Sequence, residues 1–152
     1  MKKPKFSLAV KDEALVALVE KADKKILASW AIDCVERVLP FYEERYPDDQ
    51  RPGQTLDVLS SWISTGIFSM KVIRKASLDA HAAAREVGQD NAARSAARAA
   101  GQAVAMAHVK THVIAAANYA LQAIHRAATT EKAQEDVAQE REWQMRHLLS
   151  LM

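Results

Sequence analysis

The stretch that decides the fold is the alanine-rich run from Asn91 to Ala128, which reads NAARSAARAAGQAVAMAHVKTHVIAAANYALQAIHRAA. Alanine has the highest intrinsic helix propensity, so the run predicts helix at almost every position. An exposed helix of this kind would normally carry many charged residues, yet Lys110 is its only lysine and glutamate is missing. We therefore expect close packing, because small side chains let neighbouring helices approach toward the short end of the roughly 8–10 Å range.

A helix from Asn91 to about Ala127 would exceed about 50 Å at a rise of about 1.5 Å per residue. We therefore expect a bend or a break in it, with Gly101 as one candidate position. Its larger core contacts would come from aliphatic residues, namely Val104, Val109, Val113, Ile114, Leu121 and Ile124.

Length and composition support the same fold class. The chain has 152 residues, of which 49% are hydrophobic and 26% are charged, as in ordinary globular proteins. Four glycines and four prolines are too few for a protein made of many short strands and turns. The sequence predicts an all-α fold, a single compact multi-helix bundle around the long alanine-rich helix, with residues 1–152 forming one domain.

Further helices are expected on both sides of the alanine-rich run. Asp23 is a plausible N-cap for a strongly amphipathic helix that Pro40 would kink or restart. After the loop Pro47–Gly53, a third helix would end or bend at Gly66. The expected seam of the next helix is Phe68, Val72, Ala76, Ala80, Ala83 and Val87. Helices at residues 12–21 and 130–152 would be appendages, the second capped by Thr129 or Thr130 and packed late or against a partner.

Charge and cysteine content exclude several classes of protein. The net charge of +2 comes from 21 basic and 19 acidic residues that are mixed along the chain, so no basic stripe for nucleic acid is evident. Cys34 is the only cysteine and cannot form an internal disulfide, which suits a reducing cytoplasm. No stretch approaches the roughly 20 apolar residues of a membrane span. We expect a cytoplasmic protein that binds neither nucleic acid nor membrane.

Two histidines in the alanine-rich run are the weak candidates for a metal site. His108 and His112 are four residues apart, which would place both on one helical face where they could chelate a divalent ion. A third ligand would have to come from His81, Asp79 or Glu86. The glutamate of a zincin motif is missing between the two histidines, so the alternative, ordinary hydrogen bonding to neighbours, is favoured. We expect no cofactor.

Arginines form a second candidate cluster. If Gly88 joins two helices as an antiparallel hairpin, His81 meets residues near Ala97 and faces Arg98 rather than His108. Arg85, Arg94 and Arg98 could then hold an anion or carboxylates, for which arginine is well suited. The obvious internal acceptors are Asp48 and Asp49, which would make the cluster a salt-bridge network that clamps their loop.

No sequence pattern for an enzyme is present. Ser60-Ser61 and Ser64-Thr65 lack the glycine elbow of a serine hydrolase, and no phosphate-binding glycine loop occurs. Cys34 falls within an apolar helical stripe, where a thiol behaves as a small hydrophobe. We therefore expect a protein that is not an enzyme.

Four segments together resemble a known family. They are residues 27–34 (LASWAIDC), 47–52 (PDDQRP), 80–86 (AHAAARE) and 96–112 (AARAAGQAVAMAHVKTH), followed by Tyr119. In this order they are similar to the Imm-5-like family of bacterial immunity proteins, over roughly residues 24–127. The resemblance implies a small cytoplasmic protein that binds and blocks a cognate toxin protein. It places the family's polar signature on Asp48, Asp49, Arg51, His81, Arg85, Arg98, His108 and His112, while Gln102 stands where a histidine is common.

Three functions follow from these patterns. The first is an immunity protein that neutralises a cognate bacterial toxin domain. The second is a helical domain that binds a small molecule, an anion or a metal through the histidines and arginines. The third is a structural homo-oligomerisation module that uses the alanine faces or the C-terminal helix.

Overall fold

The structure is a computed structural model that describes residues 2–152. Within this range the chain forms eight α-helices and no strand, which confirms the all-α prediction. The helices are α1 (Glu13–Lys21), α2 (Lys24–Glu36), α3 (Pro40–Glu43), α4 (Arg51–Thr65), α5 (Met70–Glu86), α6 (Ala92–Ala105), α7 (His112–Ala127) and α8 (Ala133–Leu151).

Side-chain caps and special residues set most helix boundaries where the sequence predicts them. Asp23 accepts the N–H of Lys25 and so is the N-cap that the sequence predicts; at the start of α6, Asn91 acts in the same way by accepting the N–H of Arg94. Pro40 begins the short α3 after α2 has ended. Gly66 closes α4 with a positive φ of 70°, a conformation that favours glycine.

The alanine-rich run forms two helices instead of one. The break falls at residues 106–111 and not at Gly101, which lies inside α6. Ser95 contacts Gln122, and Gln102 contacts His112, so α7 returns antiparallel along α6. A continuous helix would have carried the second alanine face away from the bundle. The break lets both faces pack on each other.

Helix α6 lies at the centre of the bundle. Its main neighbours are α5 and α7, and it also contacts α2, α3 and α4. Six of its eight alanines are buried, which confirms the predicted close packing of small side chains; they are Ala93, Ala96, Ala97, Ala99, Ala100 and Ala103. The polar contacts of α6 with α5 and α7 are therefore made along its edges.

The predicted seam of α5 is partly wrong. Phe68 and Val72 are exposed, and Ile73 is the large buried residue in the first turn. Helix α5 begins only at Met70, with Ser69 as its N-cap, so its core-facing side runs through Ile73, Ala76 and Ala80. The first turn of α5 consequently presents apolar side chains to solvent.

Helix α8 is packed against the bundle and is not a loose appendage. It contacts α2 and α7, and both Gln144 and Leu148 are fully buried. The indole N–H of Trp30 donates to the Gln144 carbonyl over 2.8 Å, and Arg37 donates twice to the buried Glu140. Its N-cap is Lys132 without a side-chain bond, so the prediction of a Thr129 or Thr130 cap is wrong.

The hydropathy of the helices bears on membrane insertion. Across residues 2–152, no helix combines the length and the apolar character that crossing a bilayer requires.

Candidate functional site

Helices α5 and α6 meet in a pair formed by His81 and Arg98. The Nη1 of Arg98 lies 2.8 Å from Nδ1 of His81 and donates to it, because a guanidinium has no acceptor. His81 packs directly over Gly101, where an added Cβ would fall 2.6 Å from Nε2 of the ring. The hairpin geometry expected from Gly88 is therefore correct, and glycine inside α6 makes room for the imidazole.

The environment keeps His81 uncharged at neutral pH. Burial, and then the nearby guanidinium groups of Arg98 and Arg85, lower the pKa of His81 to about 4. Its Nδ1 accepts from Arg98, so the single proton resides on Nε2. The ring thus acts as a hydrogen-bond acceptor for a permanent cation rather than as a second cation.

Helices α6 and α7 meet in a second polar contact. The Nδ1–H of His112 donates to Oε1 of Gln102 over 2.9 Å. Burial, and then the neighbouring His108, lower the pKa of His112. Beside it, the hydroxyl of Ser77 on α5 donates to the Gly101 carbonyl over 3.0 Å. These bonds fix the two edges of α6.

His108 lies outside any helix. It belongs to the turn between α6 and α7, is exposed, and stacks on Phe68 with 6.2 Å between ring centroids. The prediction that His108 and His112 share one helical face is therefore wrong, because the helix breaks between them. Both still line one surface pocket of about 190 Å³ together with Arg74 and Leu78 of α5.

The expected third metal ligands do not converge on these histidines. His81 is paired with Arg98, Asp79 with Lys75 and Glu86 with Arg51. In the described part of the chain, residues 2–152, no three His, Cys, Asp or Glu side chains are grouped so that they could hold an ion.

The acidic loop before α4 is clamped by a different arginine from those expected. Arg51 donates to Asp49 over 2.7 Å and also contacts Glu86 at the end of α5. Tyr42 donates its hydroxyl to the same Asp49 over 2.5 Å. Hydrogen bonds from Arg51 hold the pKa of Asp49 well below its usual range, while burial and then the bond to Asp49 raise the pKa of Tyr42.

The prediction that Arg85, Arg94 and Arg98 pair with Asp48 and Asp49 is therefore wrong. Arg94 donates to Asp90 over 2.8 Å and to the Ala84 carbonyl over 3.0 Å, which ties it to the α5–α6 connection. Asp48 and Arg85 are both exposed. Within residues 2–152, neither Arg85 nor Arg98 lies within 4.0 Å of a carboxylate.

The partly buried polar side chains on the two edges of α6 are hydrogen-bonded to neighbouring helices, Arg98 to His81 and Gln102 to His112. The pocket of about 190 Å³ is smaller than the roughly 300–1,000 Å³ usual for small-molecule sites.

Sequence reasoning did not single out Arg74, Met70 or Leu78, which lie beside the two histidines. A usable signal was present, because the sequence holds no aspartate or glutamate from Val58 to Leu78. The polar signature drew attention to the alanine-rich run instead, and the assumption that Phe68 is buried concealed the exposed start of α5.

Comparison with known proteins identifies a family across nearly the whole chain. Residues 17–151 match the family described as Imm-5 like putative immunity protein. The match extends beyond the segments that carry the resemblance and includes α8. No curated protein and no solved structure matches the chain.

Proposed function

The chain belongs to the Imm-5 like family of immunity proteins, and we propose that it binds and neutralises a cognate bacterial toxin domain in the cytoplasm. The observation that carries this proposal is the family match over residues 17–151. Neutralisation by binding requires a shaped surface and not a reactive centre. The exposed apolar and basic residues around the start of α5 would supply such a surface.

The expected binding residues would then fall into two groups. His108 and His112 line a pocket at the surface and would contact the toxin. Asp49, Arg51, His81 and Arg98 bond to one another or to neighbouring elements, so their role would be to hold that surface in shape. Asp48 and Arg85 are exposed near the Arg51–Glu86 contact and remain candidate contacts at the edge.

Co-expression tests the proposal directly. The toxin domain used would be one encoded by a neighbouring toxin gene. Cells that express this domain should die unless the immunity protein is expressed too, and the two purified proteins should elute together. A toxin domain inactivated in its own active site shows that killing depends on toxin activity. If the wild-type protein neither protects cells nor binds the domain, the proposal is wrong.

A further inference from the structure

Several apolar side chains in the first turns of α5, and in the loop before it, are exposed to solvent. Ile67 is 75% exposed, Phe68 is 45% exposed and Leu78 is 56% exposed. Met70, Arg74 and Leu78 follow one another at intervals of four residues and so form a single row along α5. We call the following set the α5 surface: Ile67, Phe68, Met70, Lys71, Arg74 and Leu78.

The charge of the α5 surface has one sign. The sequence has no acidic residue from Val58 to Leu78. Among residues 2–152, neither Lys71 nor Arg74 has a carboxylate within 4.0 Å, whereas Lys75 is already paired with Asp79. The N-terminus of α5 adds the positive end of a helix dipole. A partner that covered this surface would therefore gain by presenting negative charge.

The shape of the α5 surface suits protruding side chains. One pocket of about 190 Å³ opens between α5 and His108 and His112, with Arg74 in its lining. A second, of about 270 Å³, lies on the other side of α5 against α4 and has Trp62 and Ile67 in its lining. Stacking of Phe68 on His108 ties the loop before α5 to the α6–α7 turn.

Other exposed apolar residues do not form a comparable surface. Val10 lies in the N-terminal segment before α1, Val109 lies in the α6–α7 turn, and Leu149 and Met152 lie at the end of α8. Single exposed apolar side chains are common on any protein, whereas a contiguous apolar patch with a polar rim is typical of an interaction site. The α5 surface is therefore distinct from these scattered residues.

We propose that the α5 surface is the face that contacts the toxin, and that the toxin presents there an acidic rim around an apolar centre. An aspartate or glutamate side chain of the toxin would enter the pocket beside Arg74, while its apolar residues would cover Phe68 and Leu78. This inference rests on the proposed function, and it adds the contact face and the chemistry of the partner.

Charge reversal at exposed positions tests the inference. Leu78→Glu and Arg74→Glu each place a negative charge opposite the acidic toxin surface, and we expect binding of the purified toxin domain to weaken by roughly 100-fold or more. The matched controls are Leu149→Glu and Arg146→Glu on α8, since Leu149 is 55% exposed and Arg146 is exposed as well. These controls should bind within about 3-fold of the wild type. Circular dichroism and thermal melting verify that each variant is folded.

A photo-crosslinking amino acid gives a second measurement that does not depend on charge. Incorporated at position 78, it should crosslink to the bound toxin domain, whereas the same group at position 149 should not. Crosslinking only from position 149 would overturn the inference, even if a charge-reversal variant failed to fold.

The outcomes separate this inference from the proposed function. If the wild type binds and protects, and both α5 variants bind within about 3-fold of it, only the assignment of the face is wrong. If the wild type neither binds nor protects, the proposed function fails and this inference fails with it. Two further results would also overturn it. The first is that the wild type is a dimer and Leu78→Glu converts it to a monomer, which would make the surface a contact between two copies of this chain. The second is that the wild type pellets with phosphatidylglycerol–phosphatidylcholine vesicles and Leu78→Glu abolishes the pelleting, which would make it a membrane-binding surface.

Discussion

At the scale of single residues, the contact of His81 with Gly101 explains why glycine is found inside α6. Glycine costs a helix interior about 0.5–1 kcal/mol relative to alanine, so its position in the middle of α6 needs a compensating reason. The reason is steric, since the imidazole occupies the space of a Cβ and is held there by Arg98. The pair joins α5 to the central helix without a buried charge on the histidine.

We predict that Gly101→Ala destabilises the protein in spite of its better helix propensity. The new Cβ would displace His81 from Arg98, and overpacking of this kind costs about 1–3 kcal/mol. Urea denaturation gives the change in the free energy of unfolding.

Gly53→Ala is the matched control for Gly101→Ala, because its added Cβ would meet Glu43 only at an ordinary distance of 3.7 Å. This change in α4 should stabilise the protein by about 0.5–1 kcal/mol. In a His81→Ala background, Gly101→Ala should also become stabilising. If Gly101→Ala stabilises the wild type as much as Gly53→Ala does, the steric account is incorrect.

The pKa of His81 predicts a loss of stability in acid. Because the pKa is about 4 in the folded protein and an unperturbed histidine has a pKa of about 6.5, the unfolded chain binds more protons between these pH values. Stability from this group is therefore complete above about pH 6.5 and falls as the pH decreases toward 4. Since the ring is only partly buried, we expect about 1–2 kcal/mol after allowing for solvent screening.

The measurement for this prediction is the free energy of unfolding of the wild type and of His81→Gln at pH 7 and pH 4.5. Other titrating groups contribute equally to both proteins, so the difference between the two pH dependences isolates His81. The wild type should lose more stability than His81→Gln. Equal losses in the two proteins would show that the histidine does not titrate as its surroundings indicate.

At the scale of elements, the hairpin of α6 and α7 shows what the alanines do. A helix with small side chains can be surrounded closely, and α6 contacts helices on several sides while its alanines are buried. The break at residues 106–111 allows the second half of the run to pack against the first. It turns Ala107 into a buried turn residue, whose carbonyl accepts from Lys24 over 2.7 Å.

We predict that Ala103→Leu costs about 1–3 kcal/mol, because Ala103 is fully buried and the larger side chain would push neighbouring helices apart. Ala107→Leu should cost a similar amount. Ala138→Leu is the control, since Ala138 lies on the exposed side of α8 and has room for leucine. Thermal melting of the three variants compares them. Unchanged stability at Ala103 and Ala107 would mean that these faces are not closely packed.

At the scale of the whole molecule, α8 completes the bundle. It covers α2 and α7, accepts the indole N–H of Trp30 and places Glu140 against Arg37. Arg37 also lies 3.9 Å from the ring centroid of Trp143, so the same guanidinium makes an ion pair and a cation–π contact. The family match, which runs to residue 151, includes this helix.

We predict that removal of residues 131–152 abolishes cooperative unfolding. The cut would remove the buried Leu148, and the loss of a large buried side chain costs about 2–5 kcal/mol. It would also leave the indole N–H of Trp30 without its acceptor, which costs about 1–3 kcal/mol. Thermal melting by circular dichroism would show the loss. Removal of residues 2–10, a mostly exposed segment without helix, should change the melting temperature less, because it touches the bundle mainly through the contacts of Pro4 and Phe6 with His125. A sharp transition in the chain without α8 would show that this helix is dispensable.

The sequence by itself determined the helical class, the main caps, the burial of the alanine-rich run and the meeting of His81 with Arg98. These follow from local propensity, from hydrogen bonds within a few residues and from the short α5–α6 connection. Tertiary structure alone decided that the run breaks before His112, that Phe68 is exposed, that Arg51 and not Arg85 or Arg94 holds Asp49, and that α8 packs on the core. Each of these depends on which helix faces come together, and the same apolar periodicity is compatible with several pairings until the whole bundle is assembled.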